Sequence, residues 1–275
     1  MSKHSDNERL SLDGLVFEAI RVDVSDHVMT LTLNRPRRKN AINPVMTNEL
    51  IYAFDVAGQD PEVRVVVIQA EGDVFCAGAD LSTMGKSEVP NTTSTVPKRG
   101  EIHALSIRLR RMCKPSICKV QGPVLAGALL LVCNATHVIA ADHATFSAPE
   151  IKRGIWPHMV MAGLFRVMPR RTALDFIMRG VKLDAAAAAD CGLINRAVPA
   201  AELDGAVLEL VDELAGLAPA TMRLGLEAFY EQELMPFDEA VTYLIGMLGK
   251  TLETEDAREG IAAFMEKREP VWKGR

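Results

Sequence analysis

The sequence predicts an α/β fold: a core of alternating strands and helices over residues 15–199, then a helical region over residues 200–275. Strand-like and helix-like patterns alternate as far as residue 199, which points to a layered α/β core. Val63 to Ala70 (VRVVVIQA) is a nearly continuous apolar, β-branched run, as in a strand covered on both faces. From Ala200 onward the pattern is almost wholly helical.

In chain order, residues 1–14 (MSKHSDNERLSLDG) are polar and read as a disordered leader, with no apolar stretch to act as a secretory signal. Val16–Asp23 and His27–Leu33 flank Ser25-Asp26 in the pattern of a hairpin. NRPRRKNAIN breaks that pattern with Pro and Asn. Pro44 then opens a helix that buries Val45, Leu50, Ile51 and Phe54. After the Val63–Ala70 strand, EGDVFCAGADL is a Gly-containing loop leading onwards into a helix. Ser82–Gly100, rich in Ser, Thr, Pro and Lys, lacks periodicity and reads as a mobile loop or lid. A helix over Ile102–Met112 and a strand over Pro115–Val120 lead to QGPVLAGALLLVCNATH, a strand around Val138–Ala141, and SAPEIKRGIWPH. Helical patterns dominate from Met159, interrupted by the strand-like LINRAVP at Leu193–Pro199.

A chain of 275 residues can bury a sizeable core, and 48% hydrophobic with 24% charged residues is ordinary for a soluble globular protein. A formal net charge of −5 excludes a global basic field for nucleic acid but leaves room for a local patch that binds a phosphorylated cofactor. The longest apolar run, Pro123–Cys133, falls well short of the roughly 18 residues a bilayer span requires. No membrane span is expected, and the location expected is cytoplasmic. Cys76, Cys113, Cys118, Cys133 and Cys191 show neither CxxC nor zinc-ligand spacing, so they read as small buried hydrophobes and no metal is expected.

Two loops place small residues where a strand gives way to a helix: CAGAD (Cys76, Ala77, Gly78, Ala79, Asp80) and GPVLAGA (Gly122–Ala128). Small side chains at such junctions let backbone N–H groups approach a ligand and stabilise developing negative charge. One such loop means little; two on neighbouring strand–helix units are the parts of a two-donor oxyanion hole.

These segments resemble the enoyl-CoA hydratase/isomerase, or crotonase, family over nearly the whole chain. LTLNRPRRKNAIN is similar to that family's first coenzyme A segment, FCAGADL to its first oxyanion loop and KPSICKVQGPVLAGALLL to its second. FSAPEIKRGIWP resembles the segment with a catalytic acid, GLINRAVP the end of the core and EGIAAFMEKREPVWKGR the closing helix. The resemblance implies a spiral of ββα units, a C-terminal helical region that mediates trimerisation (often as a dimer of trimers), and a role in fatty-acid metabolism such as β-oxidation. It also implies a coenzyme A thioester as substrate, with no separate cofactor.

Carried onto this sequence, the oxyanion donors are the backbone amides of Ala79 and Gly127, and the acid/base is Glu150. Hydratases of the family use a second glutamate three residues after the Gly127 position, where this chain has Leu130. Leu130 cannot exchange protons with water as a carboxylate does, so the water-binding pair is broken. An isomerase that shifts a double bond from C3 to C2 needs a single base, and an apolar neighbour raises that base's pKa. His158, at a position where some members carry a functional aspartate, is a candidate second acid/base or polar substrate contact, or else structural. Trp156 is a candidate wall of the acyl pocket or core filler. Arg35, Lys39 and Ala41 resemble the segment that meets the adenine and phosphates. Asp80 and Leu81 follow the first oxyanion loop, where the resemblance implies backbone contacts to the adenine, and Ala77 in that loop is a further candidate contact. Phe264 and Lys267, three apart and so on one helix face, resemble a pair that reaches a neighbouring subunit's coenzyme A. Three functions stay open: double-bond isomerase, hydratase with an impaired water site, and non-catalytic acyl-CoA-binding protein.

Overall fold

A hairpin leads: β1 (Ile20–Ser25) and β2 (Val28–Leu33) pair antiparallel, with Ser25 opposite Val28. Its turn is Asp26-His27, at φ 47° and 66°. Both central residues are therefore left-handed, as the twist of a two-residue hairpin requires, and the turn falls one residue later than Ser25-Asp26. The computed structural model describes residues 10–86 and 88–275. Residues 1–9 of the expected leader lie outside the described residues. Of the remainder, Leu10 and Leu12 pack against the core and Ser11 O accepts a hydrogen bond from Tyr52 Oη at 2.9 Å, because these leucines find apolar surface to bury.

α1 (Pro44–Gln59) starts where Asn43 Oδ1 accepts the Met46 N–H at 2.9 Å, with Pro44 as first helical residue. Next come β3 (Val65–Ala70), α2 (Ile102–Arg111), β4 (Ser116–Val120), β5 (Val124–Leu125) and α3 (Leu129–Val132). They are followed by β6 (His137–Ala141), β7 (Thr145–Ser147), α4 (His158–Val167), α5 (Arg170–Arg179), β8 (Lys182–Asp184), α6 (Ala185–Asp190) and β9 (Arg196–Val198). One sheet has the order β1-β2-β3-β4-β6-β9 and is parallel from β2 onward; β5, β7 and β8 form a second. The chain thus spirals, laying a strand in the first sheet, then a short extended segment in or beside the second, then a helix.

The apolar run in β3 is explained by burial on both faces: Val66 and Ile68 join the main core, while Val65 and Val67 face a second cluster with Ile117 and Ile139. That second face is covered by α7 (Leu203–Ala215) through Leu203, Val207 and Val211. So α7, which lies beyond residue 200, packs as part of the sheet layer. α8 (Pro219–Gln232), α9 (Phe237–Leu252) and α10 (Glu255–Glu266) stand apart, with Leu224, Ala228 and Met247 as their own small core. Among the described residues no helix is long and apolar enough to cross a membrane.

The segment expected as a mobile lid is fastened at several points. Asn48 Nδ2 donates to Val96 O and Pro97 O at 3.3 and 3.1 Å, and Asn48 Oδ1 accepts from Arg99 N–H at 2.6 Å. The Glu18 carboxylate accepts from Thr92 Oγ1 and Thr93 N–H at 2.8 and 2.6 Å. Cys76, Cys118 and Cys133 are buried, Cys113 and Cys191 half-buried; burial pushes the Cys76 and Cys133 thiols up to about 12, so they stay protonated.

Candidate active site

Backbone pairing brings four segments side by side. Ile42 bridges Ala79, Cys76 bridges Val124, and Leu125 lies opposite Ser147 in the parallel pair β5–β7. Ile42 N–H donates to Gly78 O at 2.7 Å, Asp80 N–H to Ile42 O at 2.8 Å, and Leu125 N–H to Cys76 O at 3.0 Å. The residues that leave the carboxyl ends of these short strands, where α/β proteins place ligands, are Ala79, Gly127 and Glu150.

Glycine is required at the join. Gly78 adopts φ +84°, and a Cβ there would meet Leu125 O at 2.7 Å and Gly127 N at 2.9 Å. The opposing Gly127 is so near that its own Cβ would stand 3.4 Å from the Ala79 nitrogen. The two amides therefore stand together, Ala79 exposed and Gly127 half-buried, and neither donates a turn or loop hydrogen bond among the described residues. A pair of free N–H donors on one spot is what a developing oxyanion needs.

The NRPRRKNA segment braces this loop. Arg35 Nη2 bonds Asp80 Oδ2 at 3.0 Å and its Nη1 donates to Ala41 O. Ala77 N–H donates to Lys39 O at 3.0 Å. Burial pushes the Asp80 carboxyl upward, but hydrogen bonds from Ser82 and Arg35 outweigh it and hold the group below the usual carboxylate range. Arg35 and Asp80, expected at coenzyme A, thus have each other as partners, whereas the Lys39 side chain and Leu81 are exposed. Asn40 was not foreseen. It is left-handed at φ 52°, buried, and bonds Glu71 O and Val74 O at 2.8 Å each; its signal was an Asn in a Pro-interrupted loop, the residue type that tolerates such a φ.

Glu150 lies in a 3-10 turn (Pro149–Arg153) that proline starts and Gly154 closes at φ 74°. Its Oε2 is buried and has no hydrogen-bond partner among the described residues. Burial raises its pKa above the ordinary carboxylate value, outweighing a bond from its own amide and the charge of Arg153. Leu130 sits one helical turn beyond Gly127, 3% exposed, in a helix whose four residues Leu129–Val132 are all buried. α3 is a core helix, apolar all round, and it offers no carboxylate.

His158 is the exposed first residue of α4, and its side chain makes no hydrogen bond among the described residues. Trp156 packs against the main core, with its Nε1 donating to Met161 Sδ at 3.0 Å, so of its two readings the core one describes its setting. Phe264 is 82% exposed on α10. Lys267 is the left-handed cap at φ 57°, beyond the helix's end at Glu266. The expected shared helix face is therefore absent, because the helix stops one residue too soon.

A cavity of about 410 Å³ opens beside Ala79 and Asp80, walled by the first turns of α1 (Pro44, Val45, Thr47), by Val96 and Ile102, and by Met159. Its volume is in the range of small-molecule sites. The α1 wall had no sequence signal of its own, since its residues read simply as a helix start.

The sequence matches the family described as enoyl-CoA hydratase/isomerase over residues 23–275. It is 31% identical to mevalonyl-coenzyme A hydratase sidH of Aspergillus fumigatus, covering 90% of this chain and 92% of that protein. It is 32% identical to enoyl-CoA hydratase EchA19 of Mycobacterium tuberculosis, covering 92% and 96%. The fold is similar to the crystal structure of an enoyl-CoA hydratase from Mycobacterium smegmatis, with a TM-score of 0.85 and 28% identity over 93% of this chain and 99% of the other.

Proposed function

Since the chain belongs to the enoyl-CoA hydratase/isomerase family of acyl-CoA enzymes, we propose that it moves a double bond, converting a 3-enoyl-CoA to the 2-enoyl-CoA with Glu150 as its single proton carrier. The thioester carbonyl accepts from the Ala79 and Gly127 amides. Glu150 removes the proton at C2, the electron pair spreads through the dienolate onto the oxygen, and the same carboxyl returns the proton at C4. The observation that carries this reading is the pairing of a half-buried, partly unpartnered Glu150 carboxylate with a buried leucine at position 130. A proton shuttle needs one base, whereas holding and activating water calls for a second polar group.

The hydratases among the relatives favour a second reading, in which Glu150 alone activates water for addition to a 2-enoyl-CoA. Incubating the protein with 3-enoyl-CoA and with 2-enoyl-CoA and identifying the products separates the two. The expected result is faster formation of 2-enoyl-CoA than of 3-hydroxyacyl-CoA. Hydration outpacing isomerisation establishes the second reading, and no turnover with intact thioester binding leaves a binding protein.

The proposal includes assembly. Leu234 and Phe237 are each 80% exposed, and Ile245, Leu248, Phe264 and Met265 add further apolar surface on α9 and α10. Surface of this kind marks a protein–protein contact, and a closed homotrimer or a dimer of trimers would cover it. In that assembly Phe264 and Lys267 reach a neighbour's coenzyme A. Light scattering at micromolar concentration is expected to give a trimer or hexamer; a monomer contradicts it.

A further inference from the structure

Thr47 lies early in α1, is 3% exposed, and lines the same cavity as Ala79. A helical threonine commonly returns its hydroxyl to the carbonyl one turn back, as Thr242 does to Asp238 O and Thr251 to Met247 O, both at 3.0 Å. The Thr47 hydroxyl makes no such bond and no other side-chain hydrogen bond among the described residues, and unlike Glu150 Oε2 it keeps access to solvent. Three other polar groups of the lining are engaged. Asn43 caps the helix through Met46 N–H, Asn48 holds Val96, Pro97 and Arg99, and the Thr83 hydroxyl donates to Asp80 O at 3.0 Å. The same cavity is lined by the apolar Ile42, Val45, Val96 and Ile102 and by charged residues that include Lys86, Glu88, Lys98 and Glu101.

We propose that this cavity selects acyl chains bearing a hydroxyl or carbonyl oxygen several carbons beyond the thioester, with Thr47 as the residue that recognises it. The inference rests on the reading that a thioester sits at the Ala79 and Gly127 amides. Ile42 is paired with Ala79 across a β-bridge, and Thr47 follows about one helical turn past the Asn43 cap, which separates it from Ala79 by on the order of 10 Å. A plain alkyl chain laid there shuts the hydroxyl away from water without a partner. An oxygen at the same place gives it one, and leaving a buried polar group unpaired is the costlier side of that choice. The selectivity is asymmetric for that reason: a site equipped to bond an oxygen rejects the analogue that lacks it.

The test is calorimetric titration with octanoyl-CoA and with octanoyl-CoA hydroxylated at each carbon in turn beyond the third. At one position the hydroxylated ligand is expected to bind wild type about tenfold more tightly than octanoyl-CoA, the worth of one hydrogen bond to a buried group. Thr47→Val, which keeps the shape and removes the hydroxyl, is expected to bring that ratio to about one, and Thr47→Ser to keep it above one. If octanoyl-CoA binds and no hydroxylated form exceeds it, the selectivity is wrong while the thioester site stands. If a preference exists and survives Thr47→Val, Thr47 is not its source. Failure of every CoA thioester to bind overturns the thioester reading itself, and this inference with it.

Discussion

Glu150→Gln is expected to slow conversion of 3-enoyl-CoA to 2-enoyl-CoA by at least about 10²-fold, the lower end of what a positioned acid/base contributes. The amide preserves the side chain's shape and cannot take the C2 proton. Thioester affinity, read by calorimetry, is expected to survive, because the Ala79 and Gly127 donors belong to the backbone. The pH dependence gives an independent check. Burial raises the Glu150 pKa, and a base works in its ionised form. The wild-type rate is therefore full above that raised pKa and falls as pH drops through it, and the residual rate of the variant lacks this limb. Equal rates for both proteins across the pH range remove Glu150 from the chemistry.

Gly78→Ala is expected to lower turnover on the order of 10²–10³-fold, as for loss of an oxyanion donor. The added methyl would stand 2.7 Å from Leu125 O, 2.8 Å from Ala126 Cβ and 2.9 Å from Gly127 N, with the backbone held at φ +84°. Two of these neighbours are main-chain atoms and none is the end of a flexible side chain, so the loops must part and both amides move. Gly14→Ala is the control, since Gly14 also has a positive φ (+70°) but no heavy atom within 4 Å of its added Cβ. It carries the backbone strain alone. Steady-state kinetics on both variants, with circular dichroism to verify folding, decide the matter: equal activities mean that loop contact at Gly78 does not position the donors.

Most of the main sheet was legible because β1 to β4 and β6 are long or apolar enough to show, and the three-residue β9 showed within the longer run Leu193–Pro199. Val65–Ala70 carries a core on each face, and β4 begins within one residue of the expected strand. The second sheet was not. β5, β7 and β8 have two or three residues each, too short for a period of two to register, yet β5 sets Gly127 beside Ala79 through the bridge from Val124 to Cys76. The candidate donors and Glu150 were found through segment resemblance, and the structure supplies the pairing that brings their strands together. The ion pair between Arg35 and Asp80 was not legible, because charge is visible in a sequence and its partner is not. Thr47 went unnoticed for the opposite reason: one hydroxyl in a helix start looks ordinary until its neighbours' hydrogen bonds are known.

The register of the short strands has a consequence for how such a protein changes over generations. On the proposed function, polarisation of the ligand rests on main-chain geometry, which single-codon changes to Leu130, Glu150 or Thr47 leave in place. On the proposed reading, proton traffic and ligand choice rest on those interchangeable side chains. A lineage built this way can lose one reaction and acquire another without passing through a form unable to hold its ligand.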